Sequence, residues 1–104
     1  MTVLNLVMDK NTAAALDRLL AAAQGDSGQS ARCADFLLAW WNAADCGGFD
    51  LTALWGLDDE LGDDCVRVFT WITRNRHYPD DIGYGPQFQT VWKLWRGNAQ
   101  PQQR

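Results

Sequence analysis

Apolar side chains recur at helical spacing through most of this chain. Ala13, Leu16, Leu19, Leu20 and Ala23 fall on one stripe and predict a first helix over 12–23. Asn11 or Thr12 is the expected N-cap and Gly25 the expected stop. After the turn-rich Gly25-Asp26-Ser27-Gly28, a second helix is predicted over 29–45. At about 100° per residue, Cys33, Ala34, Phe36, Leu37, Leu38, Trp40, Trp41 and Ala44 cover more than half its circumference. Arg32, Asp35 and Asn42 share the remaining strip. A helix apolar over most of its surface has to be surrounded by others, so residues 33–44 are expected at the centre of the core.

Gly47-Gly48 ends that helix, and 49–56 reads as a short helix capped by Asp50. Asp58 is the expected cap of a long helix reaching Arg74, with Leu61, Cys65, Val68, Phe69 and Ile72 as its inner stripe. Trp71 falls at the edge of that stripe and Val66 on the far side; Gly62 weakens the first turn by about 1 kcal/mol relative to Ala. Residues 75–85 contain Pro79 and two glycines and read as loop. Pro86 opens the last helix, which runs to Arg96 with Phe88, Val91, Trp92 and Trp95 inward and Leu94 beside them.

The expected fold is therefore all-α: a compact bundle of four main helices plus one short helix, occupying 1–96 as one domain. The polar 97–104 is expected as a flexible tail. Val3, Leu4, Leu6, Val7 and Met8 suggest a short strand or an extended arm packed on the bundle. No basic leader precedes them and no apolar centre is long enough for a signal peptide, so a cytoplasmic location is expected. The longest apolar run, 36–41, is far below the roughly 18 residues of a membrane span.

Composition sharpens this picture in two ways. Six tryptophans in 104 residues are more than a core of this size readily encloses. Trp55, on the short segment, and Trp95, beside Arg96, are the two expected to stay partly exposed, as lids on the core or as contact surface. Charge is divided along the chain: 1–65 carries three basic against eleven acidic side chains, and 66–104 carries six against two. The net charge is −4 and the isoelectric point about 4.6.

No catalytic constellation stands out. Asp58, Asp59, Glu60, Asp63 and Asp64 are dense enough to suggest a cation site, but they lack the Asp-x-Asp-x-Asp-Gly pattern with its distal Glu. Acids at the start of a helix, with Arg74 and Arg76 at its end, complement the helix dipole. Cys33, Cys46 and Cys65 share no metal spacing; Cys33 and Cys65 lie on apolar faces, and Cys46, beside two glycines, is the one expected to be exposed. His77 is the only histidine, in a loop, with no nucleophile signature near it. Gly83-Tyr84-Gly85-Pro86 lacks the Gly-Lys-Ser/Thr ending of a phosphate loop. The expectation is no enzyme, no cofactor and no metal.

Arg74, Arg76, Lys93 and Arg96 would serve a nucleic-acid reader if the last two helices formed a helix-turn-helix. The connecting loop is long for that motif, however, and the acidic isoelectric point argues against it. The stretch Ala34-Asp35-Phe36-Leu37-Leu38-Ala39-Trp40-Trp41-Asn42, followed by Cys46-Gly47-Gly48-Phe49-Asp50-Leu51, resembles an uncharacterised family of small proteins. That family is carried on proteobacterial plasmids and integrative elements, and the similarity spans about residues 12–96. The resemblance implies a bacterial host and a mobile-element setting, and it brings no activity or catalytic residue with it. The Arg-over-Lys and Asp-over-Glu bias fits a GC-rich genome.

The functional expectation is a non-catalytic accessory or modulator protein that binds another macromolecule, a protein in the first instance. Asp59, Glu60, Asp63, Asp64, Trp55, Trp95 and Arg96 are the candidate contact residues. Nucleic-acid binding through 67–96 is the alternative, and pairing of two copies through opposite charges is a third outlet.

Overall fold

The computed structural model describes residues 8–97 and is all-α, with no strand among them. Four α-helices form the body: α1 (Lys10–Ala23), α2 (Gly28–Cys46), α3 (Asp59–Arg74) and α4 (Gly85–Arg96). Two 3-10 segments interrupt the connections, Leu51–Gly56 and Pro79–Ile82, the second lying in what the sequence reads as plain loop. The expected arm and tail fall at 1–7 and 98–104, outside the described residues.

Capping fixes the helix starts. Asp9, rather than Asn11 or Thr12, caps α1: its carboxylate accepts the Thr12 backbone N–H at 3.0 Å, leaving Thr12 as a buried first-turn residue. Ser27, Asp50 and Asp58 do the same for α2, the first 3-10 segment and α3. In the second 3-10 segment, Asp81 reaches back to the Tyr78 N–H at 3.0 Å.

α1 packs along both α2 and α3, and α4 closes over α2. Leu16, Leu19, Leu37, Leu38, Val68, Phe88 and Val91 meet there, fully buried. Aromatic rings tie the layers together: Trp40 stands edge-on to Phe88 (5.6 Å) and to Trp71 (6.3 Å). The Trp40 indole N–H donates to the His77 carbonyl at 3.1 Å, and that of Trp41 to the Asp80 carboxylate at 2.9 Å.

The centre of α2 is buried as expected, but its end is not. Backbone torsions leave the helical range at Asn42 (φ −165°, ψ 79°). The Asn42 side chain accepts the Asp45 N–H at 3.2 Å, so it caps a separate last turn. The break turns Ala44 out to solvent and Cys46 inward, opposite to the sequence expectation for both. Gly47 then exits at φ 96°, a conformation that costs any residue with a Cβ.

Candidate functional site

α3 has two flanks, and only one is covered. Asp64, Cys65, Val68 and Trp71 form its buried face. Phe69, placed on the inner stripe by its spacing, is 58% exposed, as is Val66. The buried face is centred on Val68 and Trp71 because α1 sits there; that rotates Phe69 out and brings Trp71 in.

The uncovered flank is one wall of an apolar trough of about 430 Å³. Phe36, Ala39 and Trp40 of α2 contribute its deeper part. The opposite wall is the chain after α2, which turns back so that Phe49 meets Phe36 edge-on at 5.4 Å and sets Leu51 and Leu54 against the opening. Cys65, Val66, Phe69 and Ile72 complete the α3 side. Leu51 on one rim is 70% exposed. Further along the same segment Trp55 is 85% exposed, more than the partial exposure expected of it. The Arg32 side chain lies across the following Gly56.

The start of α3 is acidic. Asp59, Glu60 and Asp63 are exposed on the first two turns of α3. Glu60 stands 3.6 Å from Arg18, while Asp59 and Asp63 make no ion pair or side-chain hydrogen bond among the described residues. Asp64 differs from these neighbours. Its carboxylate is 5% exposed and takes a two-pronged bond from Arg18, at 2.9 Å from Nε and 2.8 Å from Nη2. It joins α1 to α3 and is not presented to solvent.

Trp95 and Arg96 are likewise engaged within the fold. The Trp95 indole N–H donates to the Ala23 carbonyl, and Arg96 binds the Cys46 carbonyl (3.0 Å) and Asp35 (2.7 Å). Of the seven sequence candidates, the structure groups Asp59, Glu60 and Asp63 on one helix start; it holds Trp55 on a neighbouring segment and sets Trp95 and Arg96 elsewhere, bonded to their own partners. Sequence reasoning missed Leu51, Val66 and Phe69. The available signal was Val66 and Phe69 three residues apart, too far round α3 for both to share a face with Val68 and Trp71.

The trough offers apolar contact. Burial pushes the Cys33 thiol up to about 11 and the Cys65 thiol up to about 12, so both are neutral near pH 7. No group of three His, Cys, Asp or Glu side chains among the described residues is placed to hold a metal ion. His77 faces Asp81 at 3.6 Å. A second, polar depression between α1 and α3 alternates Arg18, Arg67 and Arg74 with Glu60, Asp63 and Asp64, so the two signs largely offset there. No described helix is long and apolar enough to cross a membrane.

Comparison with curated proteins and with solved structures finds no match to this chain. One family model does match, over residues 13–96, a span that takes in most of α1, the whole of α2, α3 and α4, and the trough. The chain belongs to that family, described as a family of unknown function (DUF7673).

Proposed function

We propose that this chain is a non-catalytic accessory protein that works by binding another protein, with the α2–α3 trough and the acidic start of α3, Asp59, Glu60 and Asp63, as its contact surfaces. The observation that carries this reading is the exposure of Leu51, Val66 and Phe69 around an apolar trough. Contiguous exposed apolar surface costs solubility, and on folded chains it marks interaction sites. The exposed carboxylates at the start of α3 favour a basic partner surface and speed the encounter with it. The setting of this reading is a bacterial cytoplasm, with the gene on a plasmid or integrative element.

Nucleic-acid binding through 67–96 has support from the exposed Arg74, Arg76 and Lys93. It ranks second because Arg67 and Arg74 share their surface with Glu60 and Asp63, and Arg96 is tied to Asp35. Long-range repulsion from a net charge of −4 would also slow approach to phosphates.

The test is affinity capture from host cells with the native chain, with Phe69→Asp, and with Asp59→Asn/Glu60→Gln/Asp63→Asn, beside a DNA-binding salt series. The expected result is a partner protein captured by the native chain, reduced in both variants, and no DNA retention. Capture unchanged in both variants, or tight and salt-steep DNA binding, would overturn the reading.

A further inference from the structure

We infer that the acidic start of α3 meets a second copy of this chain, the two α3 helices lying antiparallel about a twofold axis so that the carboxylates of each face the arginines of the other. The inference rests on the protein-binding reading above for the acidic surface and names what that surface meets. The trough, on the other flank of α3, stays open to a different partner.

Spacing lays out the face. Glu60, Asp63, Arg67, Thr70 and Arg74 follow at steps of three and four, so they form one line along α3. All five are exposed, and all five line the polar depression between α1 and α3. Their charges are sorted, with both acids toward the start of the helix and both bases toward its end. Asp63, Arg67 and Arg74 make no ion pair among the described residues. Asp63 and Arg67 are spaced for a pair within the helix, yet none forms. Arg74 has Thr70 and Trp71 one turn back, so no carboxylate of its own helix reaches it.

A line with acid at one end and base at the other complements itself once reversed. An isologous pair supplies that reversal, because a twofold axis sets the same surface of each copy head to tail. With the axis beside Val66, Asp63 falls opposite Arg67 of the second copy, and Arg67 opposite its Asp63. Glu60 falls opposite Thr70, with Arg74 one turn beyond, about 6 Å along and within the length of an arginine side chain. A parallel arrangement would set acid against acid and base against base. A different protein would have to carry both charges at this spacing, whereas a second copy does so by construction.

Shape agrees with this. A depression of about 950 Å³ between two helices receives a ridge, and each α3 presents one. Val66, 58% exposed, lines both the depression and the trough and so forms the crest between them. Seated in each other's depressions, α1 and α3 of the two copies build a four-helix arrangement. Its apolar contact is small, limited to Val66 and the arginine stems, so the pairing depends on charge and weakens with salt.

The experiment is sedimentation equilibrium of the full chain from micromolar to millimolar concentration, at low and high salt, with circular dichroism of every variant. Glu60→Lys/Asp63→Lys makes the line wholly basic, Arg67→Glu/Arg74→Glu makes it wholly acidic, and Phe69→Asp changes the trough alone. The expected result is a native dimer at low salt that loosens about tenfold between roughly 50 and 500 mM salt. Each charge variant alone should associate about tenfold or more weakly than the native chain. Their equimolar mixture should restore a dimer containing one of each, and Phe69→Asp should associate like the native chain.

A native chain that stays monomeric to millimolar concentration at low salt would overturn the inference. So would a dimer that both charge variants leave intact, or a mixture of the two that stays monomeric. A dimer that only Phe69→Asp dissociates would place the second copy in the trough, overturning the α3 pairing while keeping the trough as a protein site. Capture of a partner from host cells is scored separately, so the protein-binding reading can fail while the dimer stands, and the reverse.

Discussion

The two flanks of α3 are made from similar residues and meet opposite fates. On the α1 side, Val68 and Trp71 are buried and Asp64 is clamped by Arg18. On the trough side, Val66 and Phe69 stand in solvent. Valine and an aromatic ring occur on each. What separates the flanks is the neighbour: α1 lies along one of them, while α2 stays far enough from the other to leave a trough. Stability is concentrated on the first flank, and surface available for recognition on the second.

The largest contrast should come from the two aromatic rings. Trp71→Ala removes a buried ring edge-on to Trp40 and should cost about 3–5 kcal/mol, whereas Phe69→Ala should stay within about 0.5 kcal/mol. Trp40→Ala belongs with Trp71→Ala. Urea unfolding of the set measures this, and a Phe69→Ala cost close to that of Trp71→Ala would mean that the trough is closed in solution.

Alkaline titration comes next. Cys33 and Cys65 have folded values raised to about 11 and about 12 by burial, above the ordinary 9.0. A raised folded value means that the native state holds its protons longer. Stability from this source is therefore full below pH 9 and declines as pH rises toward 11–12. The slope approaches about 1.4 kcal/mol per pH unit for each thiol. Melting temperatures from pH 8 to 11 should fall more gently in Cys33→Ala/Cys65→Ala than in the native chain, apart from the constant cavity cost. Equal slopes would place these thiols in contact with water.

Asp64→Asn should cost about 1.5 kcal/mol, the low end for a charged hydrogen bond, because Arg18 is 46% exposed and can rehydrate. Asp63→Asn should cost nothing measurable. A smaller effect than that of Asp64→Asn tests the entry of α1: Asp9→Ala should remove about 1 kcal/mol of capping. The Asp9 carboxyl is held below the usual 3.8 by its bonds from Thr12, so the cap is intact above that value. It is lost as pH falls through the depressed one, and the native and Asp9→Ala chains should converge in acid.

Sequence by itself determined the helices and most of their ends. Helical spacing needs only neighbours three and four residues away, and caps such as Asp50 and Asp58 act within three residues of themselves. The all-α class and the burial of Phe36, Leu37 and Leu38 were legible for that reason. Tertiary structure decided whatever depended on a distant partner. Asp64 stands in the sequence among four other acids, and only Arg18, 46 residues away, makes it structural. Cys46 is drawn inward by the break at Asn42 and by Arg96, 50 residues on. Phe69 has an inner-stripe spacing, yet the angle at which α3 meets α1 turns it outward. Periodicity fixes which residues share a face but not where the pole of that face points. Leu51, Val66 and Phe69 were left exposed around a trough because packing brought one helix to α3 and held another back, a choice made by contacts that local pattern does not contain.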